Sequence, residues 1–311
     1  MRPVVEILLG SFTDIYMPFK YESRALFGNI PVALDFELAL LIDPGTGAKE
    51  DGLELLTSES ERTRDDPEYN ISIHFNFKPF LVELEEIPKQ IINIDNHKPF
   101  LVELEERILK IDTISTGDLW KEVDVVIFNT WHWWFHKGKI QHWDKIQEGN
   151  KTYKDIDDRL AAFAKGLTTW STWVDKNIDP KKTQVFYQGI SPTHPKGKDW
   201  GFPHTTCADH TTPINGTTYP GIPEPGVAVL KEVLSKMSNP VILLDVTTMS
   251  QLRKDAHPSY YTNQGRTLRD CGHWCVAGVP DTWNHLLYAS IVGRPETRTH
   301  RVDMNLPILI T

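Results

Sequence analysis

Val123-Asp-Val-Val-Ile-Phe-Asn-Thr-Trp-His-Trp-Trp134 is the stretch of sequence that decides the fold class. Residues 123–128 form a short apolar run bounded by polar residues, which predicts a buried strand. Asn129 follows directly at its carboxyl end. Residues 155–174 then predict a helix, because apolar side chains recur on one face, namely Ile156, Leu160, Phe163, Leu167, Trp170 and Val174. A strand followed by an amphipathic helix is the repeating unit of α/β proteins.

The same alternation continues on both sides of this stretch. Strands are predicted at residues 4–9, 183–187 and 241–246, and a helix at 226–237. This pattern predicts an α/β fold, a three-layer sandwich with a mainly parallel sheet. Functional residues of such sheets gather at the carboxyl ends of the strands. The polar residues that follow predicted strands are Ser11, Asn129, Ser191 and Thr247.

Composition and charge limit the class of partner. The chain has 311 residues, 40% of them hydrophobic and 24% charged, as in an ordinary globular protein. Its net charge of -9 argues against a nucleic-acid partner, because a duplex binder needs a basic face. The ten tryptophans can stack on sugar rings or fill the core, and we expect most of them in the core. A glycan partner therefore stays open.

Targeting signals are mixed. Three N-x-S/T sequons, at Asn70, Asn150 and Asn215, fit a secretory lumen. The apolar stretch at residues 4–9 is too short for a signal peptide or a membrane span, and it contains Glu6. We expect a chain that is either cytosolic or has lost its targeting segment.

The N-terminal third is harder to organise. A charged run at residues 59–66 predicts a loop or a solvated helix face, and residues 69–77 alternate as a strand does. Residues 78–86 recur without change as residues 98–106, which indicates a recent duplication or a gene-model or assembly artefact rather than a solenoid. We expect residues 1–110 to be a divergent N-terminal part, and 111–311 the C-terminal part, of one catalytic domain without a separate second domain.

Asp270-Cys-Gly-His-Trp-Cys275 carries the chemistry. On a helical turn Asp270 and His273 would share a face, so the carboxylate could hold one ring nitrogen and leave the other as a base. The alternative is a metal site with ligands among Cys207, His210, Cys271, His273 and Cys275. The C-x-x-x-C spacing is not that of a zinc knuckle, and no second C-x-x-C occurs, so no metal is expected.

From about residue 124 to residue 289 the chain resembles the plant trichome-birefringence-like proteins, polysaccharide O-acetyltransferases of the PC-esterase, SGNH type. The resemblance rests on long blocks in the same order, which are Asp124-Val-Val-Ile-Phe-Asn-Thr-Trp-His-Trp-Trp134, Lys165-Gly-Leu-Thr-Thr-Trp170, Trp173-Val-Asp175, Gly189-Ile-Ser-Pro-Thr-His194, Leu243-Leu-Asp-Val-Thr-Thr-Met-Ser-Gln-Leu-Arg-Lys-Asp-Ala-His-Pro258 and Asp281-Thr-Trp-Asn-His-Leu-Leu-Tyr288.

The resemblance implies an SGNH/GDSL-like fold and an enzyme of the Golgi lumen that transfers acetyl groups to cell-wall polysaccharide, most often xylan. A Ser-His-Asp triad would form an acetyl-serine intermediate, with Asp270 and His273 as the D-x-x-H block. The acetyl donor is a co-substrate, and no cofactor is implied. The family's Gly-Asp-Ser nucleophile block does not occur here. Gly10-Ser11 is the nearest candidate, and a structural turn serine is the alternative for Ser11.

The family pattern also bears on the cysteines. It implies a disulfide between Cys207 and Cys271 and leaves Cys275 free, because the N-terminal segment that would bind Cys275 is missing. We also expect this chain to lack the membrane anchor that is usual in the family. Gly272 stands where the family usually has serine. The disulfide requires an oxidising compartment.

In the expected mechanism, the backbone N–H near Ser11 and the amide of Asn129 would bind the oxyanion, with a structural cap of the strand end as the alternative for Asn129. Trp131, His132, Trp133 and Trp134 would line an acceptor groove, with a place in the core as the alternative for Trp133 and Trp134. His194 and His257 are weaker candidates, and a loop-anchoring hydrogen bond explains His257 as well as chemistry does. Two rival functions stay open, namely an inactive polysaccharide-binding relative and an esterase of the same fold.

Overall fold

The computed structural model describes residues 5–9, 15–16, 61–66, 71–76, 80–95, 98–121, 123–261, 269–275 and 278–292. The strands in chain order are β1 (Val5–Leu9), β2 (Ile15–Tyr16), β3 (Glu61–Asp66), β4 (Ile71–Asn76), β5 (Glu83–Asp95), β6 (Lys98–Lys110), β7 (Val125–Phe128), β8 (Lys145–Glu148), β9 (Lys151–Tyr153), β10 (Gln184–Gln188), β11 (Val241–Leu244) and β12 (Trp274–Cys275). The α-helices are α1 (Arg159–Asn177), α2 (Pro225–Ser235), α3 (Thr247–Gln251) and α4 (Val279–Val292).

A six-stranded sheet in the order β11-β10-β7-β1-β4-β3 forms the centre of the fold. Its strands are parallel except β3, which pairs antiparallel with β4 at the edge. The prediction of a loop or helix is therefore wrong for residues 61–66, the described part of the charged run. Charged residues are what an exposed edge strand tolerates, so charge alone does not separate a solvated helix from such a strand. The sheet joins strands from both the N-terminal and the C-terminal parts of the chain.

Apolar clusters cover both faces of this sheet. Val126 and Phe128 of β7 belong to one cluster, together with residues of α1 and α2. Val125 and Ile127 belong to a second cluster, together with residues of α4. Successive side chains of a strand point to opposite faces, so the helices lie on both sides of the sheet. The predicted three-layer α/β sandwich is confirmed.

Helix α1 shows how the sequence builds one of these layers. The side chain of Asp158 caps its N-terminus by accepting a hydrogen bond from the N–H of Ala161 at 3.1 Å. Phe163, Leu167, Trp170 and Val174 are fully buried on its inner face. The burial of each such side chain contributes about 1.5–3 kcal/mol. The helix begins at Arg159, so Ile156 of the predicted stripe precedes it.

The other strands form two smaller sheets. β12 pairs in parallel with β2, and β5, β6, β8 and β9 form a four-stranded sheet. The repeated residues 98–106 lie in β6, and the first copy runs into β5. The two strands form one long antiparallel ladder from Glu83↔Lys110 to Asp95↔Lys98. At its base Lys110 Nζ lies 2.9 Å from a Glu83 carboxylate oxygen.

Most of the tryptophans lie in the core, as expected, and these are Trp120, Trp131, Trp134, Trp143, Trp170, Trp200, Trp274 and Trp283. Gly226 leaves the space that the indole of Trp131 fills, since a Cβ at that glycine would lie 2.0 Å from the ring. Within the ranges described above, no helix combines the length and the apolar character that a membrane span requires.

Candidate active site

Asp270 and His273 form a paired carboxylate and imidazole in the turn directly before β12. Asp270 Oδ2 lies 2.8 Å from His273 Nδ1, and Asp270 Oδ1 accepts hydrogen bonds from the backbone N–H groups of Gly272 and His273 at 3.1 and 3.0 Å. Their side chains meet as expected, but residues 270–273, the candidate catalytic turn (called the catalytic turn below), are not helical. The local hydrogen bonds of an aspartate-capped turn bring the two side chains together instead.

The environment keeps Asp270 ionised. Burial alone would raise the pKa of this carboxyl, but the hydrogen bond and charge of the His273 ring and the two backbone N–H donors lower the pKa below its ordinary value. An ionised Asp270 holds the proton of His273 on Nδ1 and leaves Nε2 as the basic nitrogen. The His273 side chain is 46% exposed, whereas that of Asp270 is 16% exposed. This difference in exposure suits a buried Asp270 that orients the ring and a His273 that a substrate can reach.

A disulfide ties the catalytic turn to the segment around Cys207. The Sγ atoms of Cys207 and Cys271 are 2.03 Å apart, so the bridge that the resemblance implied is formed. His194 continues this anchoring, since its N–H donates to the carbonyl of Cys271 and its carbonyl accepts from the N–H of Cys207. Because Cys207 and Cys271 are bonded to each other, neither can bind a metal as a thiolate. Across the ranges that the structure covers, no cluster of three or more His, Cys, Asp or Glu could hold a metal.

Cys275 is the cysteine outside the bridge. Its thiol is half-buried, and burial, with the nearby charge of Asp270, raises its pKa. A thiol is nucleophilic only as the thiolate. Cys275 is therefore poorly suited to act as the nucleophile beside His273.

Ser11, the candidate nucleophile, lies outside the described residues. The described strands on either side of it are β1 and β2. Leu9 pairs with Ile127, next to the carboxyl end of β7. Ile15 pairs with Trp274, the residue directly after His273.

The carboxyl ends of β7 and β10 bring further polar candidates together. Asn129 is 7% exposed directly after β7, and His132 Nε2 lies 3.5 Å from Ser191 Oγ in the loop after β10. The hydroxyl of Thr247 donates to the carbonyl of Ile190 at 2.6 Å, so this candidate has a structural partner. The predicted edge of the sheet thus assembles Asn129, His132 and Ser191, while Thr247 supports the loop beneath Ser191.

The aromatic residues divide differently from the expected groove. Trp131 packs against Phe135 and Phe163, with ring centroids 4.4 and 4.9 Å away, and Trp134 is likewise buried. These two tryptophans occupy the core and offer no open face to a sugar. Trp133 is half-buried, and its ring lies 4.1 Å from that of His142.

Two exposed tyrosines beside the catalytic turn were missed by the sequence analysis. Tyr260 and Tyr261 are 44% and 80% exposed. They follow Ser259, which exchanges two backbone hydrogen bonds with Asp270 and has a left-handed backbone with φ of 56°. The Arg269 guanidinium lies over the Tyr260 ring at 5.4 Å. The only sequence signal was a pair of adjacent aromatics shortly after His257-Pro258.

Comparison with known proteins places the chain in a family of acyl-esterases. Residues 48–290 match the PC-Esterase family, described as a GDSL/SGNH-like acyl-esterase family found in Pmr5 and Cas1p. That match begins after Ser11. The chain is 48% identical to protein trichome birefringence-like 42 of Arabidopsis thaliana over 226 residues, which is 73% of this chain and 58% of that protein. It is 47% identical to protein trichome birefringence-like 38 of the same plant over 225 residues, 72% of this chain and 54% of that one. The chain spans a little over half the length of these relatives.

Proposed function

Because this chain belongs to the PC-Esterase family of GDSL/SGNH-like acyl-esterases, we propose that it transfers acetyl groups to a plant cell-wall polysaccharide through Ser11, His273 and Asp270. The observation that carries the proposal is the Asp270–His273 pair at 2.8 Å, with β2, the described strand after Ser11, paired to the strand that directly follows His273. The chain leaves β1 at the carboxyl edge of the sheet and reaches β2 beside Trp274. Few residues separate Leu9 from Ile15, which supports a Ser11 near His273.

In the proposed first half-reaction, Ser11 Oγ attacks the carbonyl carbon of an acetyl donor while His273 Nε2 takes its proton. The backbone N–H near Ser11 and the amide of Asn129 would donate to the oxyanion. Removal of one such donor typically costs on the order of 3 kcal/mol. The donor's leaving group departs with the proton from His273, and acetyl-serine remains. Asp270 stabilises the imidazolium throughout.

In the second half-reaction, His273 Nε2 removes the proton of a sugar hydroxyl, whose oxygen attacks the acetyl-serine. The ester of the sugar forms as the bond to Ser11 breaks, and the proton returns to Ser11. A transferase must favour the sugar over water. Tyr260, Tyr261 and the half-buried Trp133 are the aromatic rings that we assign to acceptor binding, and xylan, which the sequence resemblance implies, is the acceptor that we propose. The Cys207–Cys271 disulfide suits an oxidising lumen such as the Golgi.

An esterase is the second candidate, since the same three residues would hydrolyse acetyl-serine if water replaced the sugar. Partly exposed His273, at 46%, is the observation that favours it, because water reaches this side chain. An inactive polysaccharide-binding relative is the third, and it predicts that no acetyl-serine forms.

One experiment separates the three candidates. The purified chain is mixed with p-nitrophenyl acetate as donor, with and without a xylo-oligosaccharide, and the released nitrophenol, acetate and acetylated sugar are measured. A transferase yields acetylated sugar, an esterase yields acetate regardless of the sugar, and an inactive relative yields neither. Mass spectrometry of the quenched protein should find the acetyl group on Ser11. Ser11→Ala should abolish it, whereas Ser235→Ala, at the exposed end of α2, should not.

A further inference from the structure

Two buried histidines stand behind the catalytic turn. His194 and His257 are 1% and 6% exposed. His194 Nε2 lies 2.9 Å from the carbonyl oxygen of Gln251, and His194 Nδ1 lies 2.6 Å from His257 Nε2. His257 Nδ1 lies 2.6 Å from the carbonyl oxygen of His273. This chain of contacts ends on the main chain of the catalytic histidine.

The number of protons that these contacts need is larger than two neutral rings supply. A carbonyl oxygen only accepts, so the nitrogens facing Gln251 and His273 must each carry a hydrogen. The contact between the two rings needs one more. Two neutral imidazoles carry two ring N–H hydrogens in total. All three contacts are therefore hydrogen bonds only when His194 and His257 together hold three protons and one positive charge.

Burial disfavours a positive charge on the two rings, and nearby carboxylates favour it. Burial lowers the pKa of both rings, and the ring of Trp274 packs 4.2 Å from that of His257. Trp200 and Tyr219 pack on His194 from the other side. Around His194, the charge of Lys254 disfavours protonation of the ring, whereas Asp255 and Asp199 favour it. Around His257, Asp270 favours protonation of the ring and His273 disfavours it.

We propose that His194 and His257 act as a proton-sharing pair that positions His273, with all three contacts between the Gln251 and His273 carbonyls hydrogen-bonded when the pair is charged and only two of them when it is neutral. Because the two rings share a proton, they titrate as one unit on the acid side of an ordinary imidazole. The neutral pair gives up one of the three hydrogen bonds, and the bond to the His273 carbonyl is one of those that it can lose, whereas the charged pair keeps that bond. The positioning role rests on the proposed function of His273, whereas the proton sharing does not.

NMR of the protein with ¹⁵N-labelled histidine tests the proton count without any enzyme assay. The expected spectrum at acid pH shows three protonated nitrogens among the four of His194 and His257, which lose one proton in a single shared step. The ring signals of exposed His204 serve as the internal reference. Two separate steps, or two protonated nitrogens at every pH at which the protein stays folded, would overturn the proposal.

Two variants at one position test the positioning role. In His257→Asn the side-chain amide replaces Nδ1 and can still donate to the His273 carbonyl, whereas in His257→Gln it replaces Nε2 and can bind only His194. We expect His257→Gln to shift the His273 ring ¹⁵N signals and to lower kcat about tenfold or more with KM unchanged. His257→Asn should stay close to the wild type in both. Equal effects of the two variants on the His273 signals would refute positioning through the carbonyl.

The outcomes remain distinct if the proposed reaction fails. If the wild type transfers no acetyl group, the proposed function is refuted and kcat cannot be compared between the variants. The ¹⁵N signals still test the proton sharing and the contact to the His273 carbonyl. Circular dichroism shows whether either variant is unfolded. The count of protons in the wild type needs no variant, so a failure of both variants to fold leaves that part of the test intact.

Discussion

Asp270→Asn should inactivate the site while leaving the catalytic turn in place. An asparagine retains Oδ1, which accepts from the N–H groups of Gly272 and His273 at 3.1 and 3.0 Å in the wild type. Its amide group then faces His273 Nδ1, 2.8 Å away in the wild type, and donates instead of accepting. His273 must therefore move its proton to Nε2, which can no longer act as the base.

The size of the effect follows from the tautomer and from exposure. The corresponding substitution in a serine-protease triad lowers kcat about 10⁴-fold. Here the His273 side chain is 46% exposed, so water can partly compensate for the lost partner and the ring has room to turn. We expect a fall in kcat of about 10³-fold, which corresponds to about 4 kcal/mol of transition-state stabilisation. KM should change little, because Asp270 does not contact the substrate in the proposed mechanism.

The assay is the release of nitrophenol from p-nitrophenyl acetate, combined with ¹⁵N signals that report the His273 tautomer. Asp245→Asn is the matched control, since Asp245 forms an ion pair with Lys231 on the surface. A variant at position 270 that keeps more than a tenth of the wild-type kcat would refute the orienting role of Asp270. So would an unchanged His273 tautomer in a folded Asp270→Asn protein.

Four further predictions concern stability and the acceptor. Replacing Cys207 and Cys271 together by alanine should lower the free energy of unfolding by roughly 2–4 kcal/mol in a denaturant titration, because the bridge restrains the unfolded chain; no loss would mean that the bridge does not form. Trp131→Ala should cost about 3–5 kcal/mol by the same method, since it removes a buried indole, and a neutral result would place the ring at the surface. Burial first, then the charge of His136, lowers the pKa of His142 from 6.5 to about 4. Between about pH 6.5 and pH 4 the unfolded chain therefore binds a proton at His142 that the folded chain does not bind. The free energy of unfolding is unaffected by this residue above about pH 6.5 and falls by roughly 1–3 kcal/mol as the pH drops towards 4. His142→Gln should reduce that fall in a plot of the free energy of unfolding against pH. Tyr261→Ala should raise KM for a xylo-oligosaccharide several-fold in the transfer assay, and an unchanged KM would remove this ring from the acceptor site.

The sequence alone predicted the parts of the fold that depend on local pattern. The strands at β7, β10 and β11 and the helices α1 and α2 lie within a few residues of their predicted positions, because burial imposes a period that the sequence carries. The short helix α3 was not predicted, since Thr247 and the residues after it have little apolar periodicity. β3 was missed because an edge strand can be as charged as a loop.

The site was predictable to the extent that it is local. Asp270 and His273 are three residues apart, so their pairing follows from a short motif, even though the turn is not the helix that we expected. The contact from His257 to the His273 carbonyl joins two segments through tertiary packing, and no spacing rule reveals it. The exposure of Tyr261 is likewise a property of the folded surface. Ser11 stays a prediction, because it lies outside the described residues.

The long ladder of β5 and β6 has a consequence for how this protein can change over generations. The repeated block recurs from position 78 to position 98, and the two copies run into the two paired strands of one hairpin. Both copies lie between β4 and β7, so the repeat adds no residue inside a strand of the central sheet. The hairpin is therefore a place where the length of the chain can change without inserting residues into a strand of that sheet.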